Sequence, residues 1–309
     1  MLGQHPGRNP DGNVADNILA APHEADFDLP HLFGQEPEVA GINAERTLDA
    51  RNAYVMTSMM QDVTRSGTAA KARVLGRADL VLAVGHAAAE RALRDSSRPV
   101  LAVLVGLRDL DRLKRAHPAR DLGAVVLDQP LERHLRLVRA VLPDAKRVGV
   151  LLGPDSVVQL PGLQHAADAL RLQADVHEVR EVADLVPALD HLLFAGDALL
   201  PLPDGLVSGP AAARTILLTS YRHRRPVFAH SAAYVTAGAL AAVFSTPEHV
   251  AVDVADLLAA AKEPAALVRK IHSPRRFDVA VNRAVARALG LVVADEQVLR
   301  ERIADGGAQ

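Results

Sequence analysis

What most constrains this 309-residue chain is a series of nine short apolar runs that begins at Asp79. They are DLVLAVG (79–85), PVLAVLV (99–105), AVVLD (124–128), RVGVLLG (147–153), ADVHEV (174–179), DALLPLP (197–203), PVFA (226–229), ALAAVFS (239–245) and FDVAVN (277–282). Each is of strand length, and none approaches the roughly 20 residues of a membrane span. They are nearly all-apolar instead of alternating in polarity. A strand buried on both faces of a parallel sheet reads this way, because neither face meets water.

The segments between the runs carry helix signals. Pro130 sits at a first helical position after Asp128-Gln129, and Leu131, Leu135, Val138 and Leu142 then fall on one face. Thr246-Pro247-Glu248 is a second cap, proline and acid sequence, and Gly290 follows VARAL as a helix stop. Alternation of this kind predicts a doubly wound α/β fold. The strand count is housed more economically in two parallel-sheet lobes than in one sheet. Residues 1–52 are polar, rich in Gly, Pro, Asn and Asp and without clear period, so they are expected to be irregular. Residues 52–75 could form a helix that Gly67 interrupts, and AYVMTSMM (53–60) is the one apolar stretch before Asp79.

Composition narrows the function. A net charge of −2 gives no global pull toward nucleic acid or an anionic membrane. With no cysteine, disulfides, thiolate catalysis and Cys-ligated metals are excluded. Hydrophobic residues make up 49% but aromatics only 3%, so the core must be built from Ala, Leu and Val. The basic cluster Arg222, His223, Arg224 and Arg225 reads as a helix end whose cations complement the dipole. No nucleotide-binding glycine pattern, metal-ligand pair or nucleophile elbow is present; in GLVSG (205–209) Ser208 is one position off. No nucleophile–base pair emerges, so no enzyme, cofactor or metal is expected.

In open α/β sheets ligands lie beyond the carboxyl ends of the strands. That rule selects Gly85, His86 and Ala87, then Asp128 and Gln129, then Asp204, then His230 and Ser231. The glycine and small residues opening a helix would aim backbone N–H groups at a carboxylate or phosphate. Each position also has an ordinary reading: a tight turn at Gly85, a helix cap at Asp128 and at Ser231. Together they make a donor-and-acid set for a small zwitterion, with helix ends and hydroxyls for a carboxylate and an aspartate for an ammonium.

The segments QPLERHLRLVRAVLPDAKRVGVLLGPDS (129–156), DALLPLPD (197–204), ILLTSYRHRRPVFAHSAAYVTAGALAAVFSTPEHV (216–250) and FDVAVNRAVARALGL (277–291) closely resemble one family. It is the ABC transporter substrate-binding family of the tryptophan/tyrosine-uptake type, with the type 1 periplasmic-binding fold. The resemblance covers roughly residues 76 to 303. It implies two lobes joined by three crossovers: 53–122 plus 241–266, and 123–240 plus 267–309. The first lobe departs from the family at its front, where a strand and helix are expected, and so reads as incomplete. The implied ligand contacts are Gly85, His86, Ala87, Asp128, Gln129, Pro203, Asp204, Ser231 and Tyr234. The implied role is capture of a small carboxylate-bearing ligand, an amino acid or similar, for an ABC importer permease, in the periplasm. The chain as given starts without a signal-peptide pattern, so the alternative is a cytoplasmic ligand-sensing or partner-binding module on the same fold.

Overall fold

Every one of the nine apolar runs forms a strand. The computed structural model describes residues 80–304, apart from 262, 264 and 265. The expectations for residues 1–79, including the irregular N-terminal segment and the front of the first lobe, lie outside the described residues.

The first lobe begins with β1 (Val81–Val84), α1 (His86–Asp95), β2 (Val100–Val105), α2 (Leu107–Ala116) and β3 (Leu122–Val126). Its sheet is ordered β1-β2-β3-β9, all parallel, and the last strand is the two-residue β9 (Ile271–His272). The reason for β2's unbroken apolar run is visible here. Val100 and Ala102 pack with Ala89, Leu93, Leu110 and Leu113 of α1 and α2. Leu101 and Val103 point the other way, onto Val250 and Val254 of α8 (Pro247–Ala260). Successive side chains alternate faces, so a strand covered on both sides needs every position apolar. β2 ends in a bulge between Val103 and Val105, where Leu104 takes φ +56°. Such a bulge re-aims a strand end, and here the next residues enter the cleft described below.

The second lobe comprises α3 (Leu131–Val141), β4 (Arg147–Leu152), α4 (Leu160–Ala169), β5 (Gln173–Glu178), α5 (Leu185–Ala195), β6 (Ala198–Pro201), α6 (Pro210–Arg222), β7 (Phe228–Ala229), α7 (Ala232–Thr236) and β8 (Ala241–Phe244). It is completed by β10 (Asp278–Val281), α9 (Arg283–Ala288) and α10 (Glu296–Ala304). Two three-stranded ladders, β5-β4-β6 and β7-β8-β10, are joined by a parallel bridge between Leu199 and Val227. One strand departs from the expected parallel arrangement: β10 runs antiparallel to β8. One core face buries Leu135 and Val138 of α3, Val148 and Val150 of β4, Phe228, Val243, and Leu299 and Ile303 of α10.

Two helix signals act as expected, whereas Pro130 is the N-cap of α3 and not its first helical residue. Thr246 Oγ1 accepts the His249 N–H at the start of α8, and Gly290, at φ +71°, ends the turn after α9. The basic cluster lies at the end of α6, where Arg222 occupies the last turn. Strand pairing puts β3 with the first sheet and β8 with the second. A limit at 122/123 therefore falls inside β3, and one at 240/241 falls just before β8 and parts it from its own sheet. An apolar run marks a strand but not the sheet it joins.

The chain therefore crosses between lobes three times: after β3, after β8, and between β9 and β10. One hydrogen-bond network ties the crossings together. The Gln129 amide donates to Ser245 Oγ (2.8 Å), and Ser245 Oγ donates to the Arg276 carbonyl. Arg133 donates to Gln129 Oε1 (2.6 Å) and to the Pro274 carbonyl (3.0 Å), and its guanidinium lies 4.2 Å from the Phe277 ring centre. Asp253, buried in α8, accepts from the Arg275 and Arg276 N–H groups and from the Arg276 guanidinium. Among the described residues no helix is long and apolar enough to cross a membrane.

Candidate functional site

Because β1, β2 and β3 are parallel, their carboxyl ends lie along one edge of the first sheet. Those of β4, β6 and β7 lie along one edge of the second. A cleft of about 590 Å³ opens between the two edges, within the range of small-molecule sites. From the first lobe it receives Gly106, Arg108, Asp109, Asp128 and Gln129. From the second it receives Pro203, Asp204, Gly205, Ser208, His230 and Ser231.

Five of the nine residues expected at a ligand site thus share one cleft: Asp128, Gln129, Pro203, Asp204 and Ser231. Gly85, His86 and Ala87 are not among its lining residues. They sit beyond β1, the strand farthest from the crossovers, and His86 and Ala87 are exposed. Gly85 has φ +82° and opens α1, which is the ordinary tight-turn role. Tyr234 is also outside the lining: it is buried one turn into α7, behind Ser231.

Asp204 has a different task from the one its position suggests. Its Oδ2 accepts from the Asp155 and Ser156 N–H groups (both 2.9 Å) and from Ser156 Oγ (3.1 Å); its Oδ1 accepts from the Leu206 N–H (2.8 Å). The carboxylate is buried and gathers the loops after β4 and β6. A Cβ at Gly153 would lie 2.1 Å from Asp204 Oδ1, so glycine is required there for the loops to close on it. Asp204 therefore builds the second-lobe wall, with Oδ2 fully engaged and Oδ1 holding one bond. Gln129 is likewise spent, since both ends of its amide belong to the crossover network.

Asp128 remains available. One oxygen accepts the Leu107 N–H (2.7 Å) at the start of α2, so Asp128 caps a helix from a neighbouring strand. Burial raises its carboxyl above the usual range, opposed by the Leu107 hydrogen bond, with the Asp109 carboxylate adding to the rise. A cationic group arriving beside it would relieve that cost. Ser231 Oγ accepts the Tyr234 N–H (3.3 Å) as the cap of α7; its hydroxyl proton has no acceptor among the described residues, so it keeps a donor.

Two features were missed in the sequence. The end of β2 delivers Gly106 and Arg108, whose only signal was the glycine after an apolar run. Among the described residues, His134 Nδ1, the buried Nδ1 of the cleft-lining His230 and the Tyr234 hydroxyl have no hydrogen-bond partner. The His230 and Tyr234 rings meet edge-on at 5.7 Å. Burial pushes His230 down to about 4, and burial, His230 and Arg133 push His134 down to about 3. Burial also pushes the Tyr234 hydroxyl up.

The family model described as "ABC transporter substrate binding protein" matches residues 63–303. Among solved structures, the chain is similar to an ABC domain in complex with L-Trp from Streptococcus pneumonia, at 17% identity over 83% of this chain and 95% of that one, with a TM-score of 0.54. It is also similar to a ligand-free, open substrate-binding protein with adhesive properties from Clostridium difficile, at 18% identity over 87% and 92%, with a TM-score of 0.55. A conserved domain protein from Vibrio cholerae gives 22% identity over 76% and 83%, with a TM-score of 0.53. These likenesses show the fold. Among curated proteins, penicillin-binding protein 1A of Neisseria cinerea is 56% identical over 45 residues. That stretch is 15% of this chain, and the chain spans only 6% of that relative's length.

Two outcomes are expected. Asp204→Asn replaces an acceptor by an NH2 group facing N–H donors, and should destabilise the protein by about 2–4 kcal/mol in urea unfolding. A residue that served ligand contact alone would lose affinity with stability unchanged. Secondly, the two buried imidazoles stay neutral when folded but take up protons near pH 6.5 when unfolded. Their stabilisation is full above that pH and is lost as pH falls toward the folded values. From pH 7 to 5 each should remove about 2 kcal/mol; equal urea midpoints at both pH values would contradict this.

Proposed function

The chain belongs to the ABC transporter substrate-binding protein family, and from that premise we propose that its cleft captures a small zwitterion, an amino acid or close relative, and presents it to the permease of an ABC importer. The observation that carries this reading is the charge set of the cleft. Asp109 and Asp128 offer carboxylates to an ammonium, and Arg108 and the Ser231 hydroxyl offer donors to a carboxylate. A protein of the same fold holds L-Trp, so an amino acid is a ligand that this architecture accommodates.

Capture works by differential affinity. A ligand touching both edges binds the closed arrangement better than the open one and shifts the population toward it. The transporter then reads the closed form, in the periplasm on this reading. No bond-making role is assigned to the cleft. Its two serines serve the backbone: Ser208 Oγ donates to the Leu202 carbonyl and Ser231 Oγ caps α7.

A thermal-shift screen of the L-amino acids and small organic acids tests the proposal. A true ligand at 100 times its Kd should add about 2.7 kcal/mol of stability. A folded sample that no member of the panel stabilises would count against it.

A further inference from the structure

Among the described residues, Arg108 is the one arginine or lysine lining the cleft, and it makes no hydrogen bond to any of them. Its two ion pairs are long, 3.8 Å to Asp155 Oδ2 and 3.9 Å to its neighbour Asp109. A bidentate carboxylate contact is about an ångström shorter. The guanidinium is about one-third exposed and reaches from α2 of the first lobe to the second-lobe wall. That wall makes room for it: a Cβ at Gly205 would stand 2.6 Å from Arg108 Nη1 and 3.0 Å from Asp155 Oδ2. Asp155 itself is held by the Gly205 N–H (3.2 Å).

We propose that Arg108 is the residue that recognises the ligand's carboxylate, taking it in place of Asp155 as the cleft closes. The inference rests on the zwitterion reading above and names the group that selects for the acid. The fork of an arginine matches a carboxylate or a phosphate equally in shape. The surroundings choose between them. Asp109, Asp128 and Asp155 outnumber the single cation, so a phosphate dianion meets a net repulsion. A carboxylate that brings its own ammonium to Asp128 does not. The weak pair with Asp155 keeps Arg108 in position while the cleft is empty, and the cost of breaking it is small because a long, partly exposed ion pair contributes little.

The test compares each L-amino acid with its C-terminal amide by titration calorimetry on the whole chain. The wild type should favour an acid over its amide. In Arg108→Ala that preference should fall by about 10- to 100-fold; Arg108→Lys should keep part of it. Asp155→Asn, by removing the competitor, should tighten the acid. Gly205→Ala retains the charge but displaces the guanidinium, and should also lower the acid-to-amide ratio. An unchanged ratio in both Arg108→Ala and Gly205→Ala would overturn the assignment to Arg108 alone. Absence of binding to any acid or amide by folded wild type would overturn the zwitterion reading, and this assignment with it.

Discussion

The hydrogen bond from the Gln129 amide to Ser245 Oγ is the point on which the architecture turns. It joins the first crossover to the second. Ser245 passes the connection to the third through the Arg276 carbonyl, and Arg133 closes the circuit on Gln129 and Pro274. Buried polar groups are stabilising only when satisfied together, so this network holds the three strands of the hinge in one register. The lobes on either side have separate apolar cores. The three crossovers are the covalent links between them, and the edges that face one another are the carboxyl ends of the strands.

Those edges divide their labour. The second-lobe wall is preformed, because Asp204 gathers the loops after β4 and β6 through four hydrogen bonds. The first-lobe edge carries the groups that still seek partners: Arg108, with two long ion pairs, and the half-buried Asp128, with a raised carboxyl. A preformed wall facing an unsatisfied edge suits a site that gains most of its contacts on closing.

The fold was legible in the sequence to a considerable depth. Burial on both faces forces an unbroken apolar run, so β2 and β4 announced themselves, and the caps at Thr246 and Gly290 marked helix ends. β9 was invisible because two residues carry no period, and β10's antiparallel direction leaves no trace in composition. The site was legible in place but less so in role. The strand ends it picked out bring Asp128, Gln129, Pro203, Asp204 and Ser231 to one cleft. Sequence cannot show that a carboxylate gathers two loops of its own lobe or that an amide is tied into the crossovers, so the structural tasks of Asp204 and Gln129 stayed hidden. Arg108 was hidden for the opposite reason: within LRDLDRLKRA it resembles any charge on a solvated helix face.

The account is tested most directly by measuring the distance between the lobes. The chain has no cysteine, so Asp111→Cys on α2 and Val158→Cys beyond β4, both exposed, give a unique label pair with one label on each lobe. With a stabilising amino acid at saturation, energy transfer between the labels should report a shorter and narrower distance distribution than in the free protein. Saturation with an unchanged distribution would contradict closure about the Gln129–Ser245 hinge.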